Sequence, residues 1–237
     1  MYDITIIGGG IVGLATSNAL LEQNPNLKIL ILDKESKVGQ HQTGHNSGVI
    51  HSGIYYKSNS LKAINCRHGR NLLINFCEQY NIKYEMCGKV IIATNEGEDT
   101  SLNMLYERGK KNGIQGMKKL KRNELREYEP HASGSSALYC PETGIVDYVQ
   151  VCEQLALNVQ ENGEIVMGAA VINIIEKQDC ITVITENTEY ETSYLINCAG
   201  LFSDFIAELA GINRQVRIVP FRGEYYMLKE QASRLVK

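Results

Sequence analysis

The chain has 237 residues, 43% hydrophobic and 22% charged, which is enough for one large or two small domains with real cores and argues against disorder. Its 24 basic and 27 acidic residues leave a formal charge of −3, so there is no electrostatic case for nucleic acid or an anionic membrane as partner. No apolar run approaches the roughly 18–20 residues that span a bilayer, and no basic-then-apolar leader opens the chain. A cytoplasmic protein is expected, with room for peripheral association on the cytoplasmic face of a membrane.

The first stretch carries the strongest signal. Tyr2-Asp3-Ile4-Thr5-Ile6-Ile7 reads as a strand, Gly8-Gly9-Gly10-Ile11-Val12-Gly13 follows as G-x-G-x-x-G, residues 12–23 read as a helix, and Ile29-Leu30-Ile31-Leu32 ends on Asp33. An acid about 20 positions beyond the last glycine, closing the second strand, completes a dinucleotide-binding βαβ unit. Gly8 allows the tight turn, Gly10 lets a pyrophosphate approach the helix N-terminus, and Gly13 lets helix and strand pack closely. Asp33 is placed to accept hydrogen bonds from a ribose diol, which disfavours a 2′-phosphate and leaves NAD or FAD.

Residues 39–56 then break the pattern, with four glycines, three histidines, several hydroxyls and no amphipathic period. A loop this long directly after the ribose-binding acid is expected to be functional, its amides and hydroxyls suiting a pyrophosphate or a flavin edge. His41, His45 and His51 could ligate zinc by spacing, but no carboxylate or cysteine lies in the loop to complete a site, so no metal is expected. His51 is the candidate for an active-site role.

Further on, residues 61–80 read as a helix, Tyr84 to Thr94 as a strand, 98–112 as a charged amphipathic helix, and Met117–Leu120 as a short strand before a brief helix stopped at Pro130. The basic cluster from Lys118 to Arg126 is interspersed with glutamates and reads as a solvated face. Ser136–Cys140 is a candidate strand, 141–144 a turn and 147–162 a helix. Short strands at 164–168, 170–176, 180–185 and 188–192 read as a β-meander, leading to Tyr194-Leu195-Ile196-Asn197 and then Cys198-Ala199-Gly200 before a helix at 203–210. A meander inserted between parts of a dinucleotide fold favours FAD over a nicotinamide, and small Ala199 and Gly200 would let the backbone come close to the cofactor. The seven cysteines, Cys66, Cys77, Cys87, Cys140, Cys152, Cys180 and Cys198, are scattered without C-x-x-C spacing, as reduced thiols rather than a disulfide frame or zinc site.

On these residues the chain resembles the D-amino-acid-oxidase-type FAD oxidoreductases. Within them, His41-Gln42-Thr43-Gly44-His45-Asn46-Ser47-Gly48-Val49-Ile50-His51-Ser52-Gly53-Ile54-Tyr55-Tyr56 and Pro220-Phe221-Arg222-Gly223-Glu224-Tyr225 resemble the L-2-hydroxyglutarate-oxidising branch. The resemblance implies an α/β fold: a Rossmann-like, glutathione-reductase-type FAD-binding domain with an inserted β-meander (1–82 and 141–215) and an α+β substrate domain (83–140 and 216–237), C-terminally incomplete. It implies that Gly8, Gly10, Gly13, Asp33, Gly44, Ser47, Val171, Ala199 and Gly200 hold FAD, Val171 through backbone contacts to the adenine. His51, Tyr55 and Arg222 would face the substrate.

The implied reaction takes L-2-hydroxyglutarate to 2-oxoglutarate, with hydride transfer to flavin, a base on the hydroxyl proton, and oxygen or a quinone as final acceptor. A glycerol-3-phosphate or amino-acid oxidase of the same fold, a FAD-binding fragment without catalysis, and a nicotinamide-binding protein are the alternatives. The family acid closing the second strand is often glutamate, so Asp33 is shorter by one methylene. No counterpart of the family's late glycine-rich turn follows Tyr226, so a C-terminal partner chain is among the expected partners.

Overall fold

The computed structural model describes residues 1–213 and 216–236. The first part of the chain runs β1 (Tyr2–Ile7), α1 (Ile11–Gln23), β2 (Ile29–Asp33), β3 (Val49–Ile50), α2 (Leu61–Gln79), β4 (Tyr84–Glu85), β5 (Lys89–Ala93) and α3 (Glu96–Lys111). It continues through β6 (Lys118–Lys121), α4 (Arg122–Tyr128), β7 (Ser136–Cys140), β8 (Gly144–Val146) and α5 (Tyr148–Gln160). The last elements are β9 (Glu164–Met167), β10 (Val171–Glu176), β11 (Ile181–Thr185), β12 (Glu189–Asn197) and α6 (Ser203–Leu209). The chain divides into two compact units, 1–47 with 148–222 and 48–147 with 223–237. The sequence reading put these boundaries later, near 82, and earlier, near 140 and 215. The second unit therefore takes in the loop after residue 47 and all of α2.

The first unit is built on a six-stranded sheet ordered β10-β11-β12-β1-β2-β9. β1 pairs parallel with β2 and with β12, and β2 pairs parallel with β9. β2 is apolar at four consecutive residues and all four are buried, as expected for a parallel strand covered on both faces. Side chains alternate along β1: Ile6 lies beneath Gly13 of α1, while the next residue, Ile7, joins Leu30, Leu32, Val171, Val183 and Ile206 of α6 in one core. Helices thus cover opposite faces of the sheet. α5 packs beside α1 and buries Val151, Cys152, Leu155, Ala156 and Val159.

Two strands differ from the expected meander. The 164–168 stretch is not part of it: β9 adds to the parallel side of the sheet, its apolar run too short to distinguish a parallel edge strand from a meander strand by pattern alone. The 188–192 and 194–197 stretches are one strand, β12, whose first half pairs antiparallel with β11 and whose second half pairs parallel with β1. Thr192 is the junction, opposite both Ile181 and Tyr2. A single strand that changes partners carries no break in its sequence.

The second unit contains two three-stranded sheets, β3-β8-β4 and β5-β7-β6. The predicted strand from Tyr84 to Thr94 is divided between them at Met86-Cys87-Gly88. Gly88 adopts φ +74° and donates its N–H to Thr143 O, which turns the chain out of one sheet and into the other. The predicted turn at 141–144 runs directly into β8. Helix ends follow their capping residues: Ser60 Oγ accepts from Ala63 N at the start of α2, and Asn95 Oδ1 accepts from Glu98 N at the start of α3. One core gathers Ile54, Ala93, Leu102, Ile114, Leu138 and Cys140, and a smaller one Leu120, Leu125 and Ala137. Residues 216–229 form no helix or strand, and Glu230–Leu235 is a 3₁₀ turn.

Candidate functional site

In the first unit, several loops meet at the carboxyl edge of the parallel strands, where ligands bind in open α/β sheets. Gly8 N donates to Leu32 O at the end of β2, and Cys198 N donates to Ile7 O at the end of β1. Gly39 N donates to Gly9 O, and the Gly200 Cα faces the Gln42 amide. Gly168 N and Ala169 N donate to Glu35 O and Asp33 O, which brings the start of β10 beside the end of β2. Gly8, Gly10, Gly13, Asp33, Gly44, Val171, Ala199 and Gly200 are therefore carried on adjoining loops and the ends of the elements they join. Ser47 closes the same stretch, exposed at the end of the first unit's opening segment.

The glycines differ in why they are glycine. A Cβ at Gly13 would lie 2.0 Å from Gly8 O, and one at Gly8, where φ is +118°, would lie 2.3 Å from Cys198 O. Both positions are closed by the protein's own backbone. Gly44 is of the same kind, with Gly39 O at 2.6 Å. Gly10 is different: at φ −84° a Cβ would meet only Thr43 Oγ1, at 3.4 Å. Nothing in the fold requires a glycine there, so the space in front of it suits an incoming group. Thr43 Oγ1 accepts from Ile11 N at 3.1 Å, and helix geometry points the Val12 and Gly13 amides out of the same end. No acidic side chain stands in the first turn. The donor set fits a pyrophosphate.

Asp33 fixes this loop. Its Oδ2 accepts from Gly9 N at 2.6 Å and its Oδ1 from Glu35 N at 2.8 Å, and each oxygen keeps a second lone pair for a hydroxyl. Glu35 binds Lys34 Nζ and His41 Nε2, both at 2.7 Å, and these two partners, Lys34 foremost, hold its carboxyl below the usual range. His41 also meets Phe202 edge-on at 6.1 Å between centroids, and His45 Nδ1 lies 3.0 Å from His41 O. These two histidines hold the loop in shape. Thr43 and Gln42 were invisible as site residues in the sequence, because what marks them is a partner far along the chain.

In the second unit, His51 and Tyr55 lie on a loop tied to the end of α3. Asn112 Nδ2 donates to both Gly53 O and Tyr56 O at 3.0 Å, and Arg108 Nη1 donates to Tyr55 O at 3.2 Å. Cys66 Sγ reaches His51 O at 3.2 Å. Lys89, which the sequence reading did not single out, stands at the start of β5 with Nζ 4.4 Å from the centroid of the Tyr55 ring. The His51 ring reaches solvent, yet partial burial pushes its pKa below 6.5, and the Lys89 charge lowers it further. Burial raises the Tyr55 hydroxyl, with a smaller contribution from Cys140. Both effects favour the neutral imidazole at His51. Arg222, the third predicted substrate residue, is exposed outside any helix or strand and is the last residue of the first unit.

Parallel strands bearing a glycine-rich turn, a helix N-terminus without acids and a strand-terminal aspartate define a dinucleotide-binding domain. The family model described as DAO, FAD dependent oxidoreductase, matches residues 3–236, and the chain belongs to that family. FAD is accordingly the cofactor. The chain is 45% identical to the L-2-hydroxyglutarate dehydrogenase of Indibacter alkaliphilus, covering 100% of this chain and 60% of that protein. It is 44% identical to the mitochondrial L-2-hydroxyglutarate dehydrogenase of Homo sapiens, covering 100% of this chain and 54% of that one. The chain thus spans a little over half the length of these relatives. Among solved structures, the FAD-bound L-α-glycerophosphate oxidase of Mycoplasma pneumoniae matches at TM-score 0.81 and 28% identity, over 88% of this chain and 56% of that one. Glycine oxidase from Geobacillus kaustophilus shares the fold at TM-score 0.79 and 20% identity, over 90% and 59%.

One expectation is overturned here. The relatives from human, cattle, orangutan, mouse and sea anemone are named as mitochondrial, against the expected cytoplasmic location. Charge balance and the lack of a spanning helix do not determine compartment, which is set by targeting information outside the physics of the fold.

Proposed function

We propose that this chain takes part in FAD-dependent oxidation of L-2-hydroxyglutarate to 2-oxoglutarate. The observation that carries the reading is Lys89 Nζ over the Tyr55 ring at 4.4 Å, with the Lys89 charge acting on His51, in a chain 44–45% identical to proteins named for that reaction. FAD, when bound, supplies a two-electron acceptor for the hydride leaving C2. His51 takes the proton of the C2 hydroxyl at an imidazole nitrogen, and Tyr55 offers a hydroxyl that stays protonated. Arg222 can fork two hydrogen bonds to a carboxylate. Gly10, with the open end of α1, receives the pyrophosphate, and Asp33 the ribose diol. Gly44, Ser47, Val171, Ala199 and Gly200 complete the cofactor contacts. Oxygen or a quinone then takes the electrons.

The test is a flavin spectrum of the purified protein followed by anaerobic addition of L-2-hydroxyglutarate, which is expected to bleach the flavin. Bleaching by glycerol 3-phosphate or an amino acid instead would move the chain to the substrate class of its structural relatives. A flavin that none of these reduces would leave a FAD-binding protein without this activity.

A further inference from the structure

We propose that Lys89 is an anion-binding residue of the substrate site, receiving a carboxylate of the acid beside His51 and Tyr55. This deepens the reading above and rests on its assignment of a 2-hydroxy diacid as substrate. Lys89 opens a strand that is otherwise apolar, Lys89-Val90-Ile91-Ile92-Ala93, in a sheet position where an ammonium is the exception. Its side chain is half-buried, and its Nζ sits over the Tyr55 ring at 4.4 Å. The other groups acting on it are the thiols of Cys140 and Cys66, and burial raises the Cys66 thiol. Among the described residues no carboxylate forms an ion pair with it.

A partly desolvated ammonium faced only by a ring quadrupole is under-compensated, because burial removes water that one cation–π contact does not replace. A carboxylate replaces it with a charge-assisted hydrogen bond, and an uncharged ligand does not. The burial that pulls the Lys89 pKa down is the same enclosure that would strengthen such a contact. The site also explains why the cation stands next to His51: the ammonium disfavours a second positive charge on the imidazole. One residue then both docks the acid and adds to the burial that lowers the neighbouring imidazole's pKa.

The test uses glutarate, which has both carboxylates of the substrate but no hydroxyl to oxidise, titrated calorimetrically into the FAD-loaded protein. Wild type is expected to bind it, Lys89→Met to bind it at least about tenfold more weakly, and Lys89→Arg to stay within a few-fold of wild type. Should Lys89→Met not fold, the wild-type protein alone decides: glutarate, but not neutral glutaramide, is expected to shield Lys89 from an amine-acylating reagent, read by mass spectrometry. Equal glutarate affinity in Lys89→Met and wild type, no binding by wild type, or acylation unaffected by glutarate overturns the proposal. Because glutarate is not a substrate, the two readings separate. Glutarate bound through Lys89 without reduction by L-2-hydroxyglutarate leaves the anion site standing and the activity fallen. Reduction with Lys89 irrelevant to glutarate does the reverse.

Discussion

The glycine-rich loop of the first unit and the 51–56 loop of the second are specified in opposite ways. In the first, function depends on side chains being absent: Gly8 and Gly13 are required by carbonyl oxygens that a Cβ would strike, and Gly10 by space kept open toward a helix end. In the second, the backbone is tied down by Asn112 and Arg108, and the chemistry proposed for His51 and Tyr55 depends on what stands near them, above all Lys89. A site made of backbone amides tolerates few substitutions but needs few partners. One made of side chains has its properties set by neighbours drawn from distant strands.

Replacing His51 should have the largest effect. His51→Gln keeps a hydrogen-bonding side chain but removes the base, so kcat for L-2-hydroxyglutarate should fall by about 10²–10⁴-fold with FAD content unchanged. A variant with wild-type kcat would remove His51 from the chemistry and leave the second loop a packing feature.

The next effect divides the glycines. Gly13→Ala drives a Cβ to 2.0 Å from Gly8 O, so helix and strand must separate, at a cost of about 1–3 kcal/mol in unfolding free energy, measured by urea denaturation. Gly10→Ala adds a Cβ that meets only Thr43 Oγ1 within the protein and should cost less, about 1 kcal/mol or below, while Gly10→Val should weaken FAD binding at least tenfold, about 1.4 kcal/mol. If both alanine variants lose stability alike and Gly10→Val keeps its FAD, the distinction between glycines of the fold and glycines of the ligand fails.

The smallest expected change is a displaced pH profile. His51 must be neutral to act as base, and its folded pKa lies below 6.5, so turnover should be full at neutral pH and fall only as pH drops through that lowered value. Burial is the larger cause and the Lys89 charge the smaller. Lys89→Met should therefore move the acidic limb of kcat upward, by less than about one pH unit, and leave it below 6.5. A limb that stays in place would mean that the ammonium does not act on the imidazole.

The βαβ unit was legible in the sequence because its signals are local. Glycines at fixed offsets, a buried apolar strand and a terminal acid are backbone requirements that recur wherever a dinucleotide meets a helix N-terminus, and they place β1, α1 and β2 within a residue or two. Helices α2 to α6 followed from periodicity and capping in the same way, as did β7, β10 and β11. Tertiary structure decided what depends on pairing between distant residues. It joined 188–197 into one strand shared by two ladders and moved β9 to the parallel edge, because hydrogen-bond partners of a short strand are chosen by the sheet. It split Tyr84–Thr94 at Gly88, whose positive φ no alternation of residues reveals. It made Asp33 a brace for Gly9 and Glu35, gave Thr43 to Ile11, and set Lys89 beside His51 and Tyr55. Apart from Glu35, those neighbours lie 24 to 38 positions apart along the chain, and a side chain's charge state is determined by the groups that surround it in space.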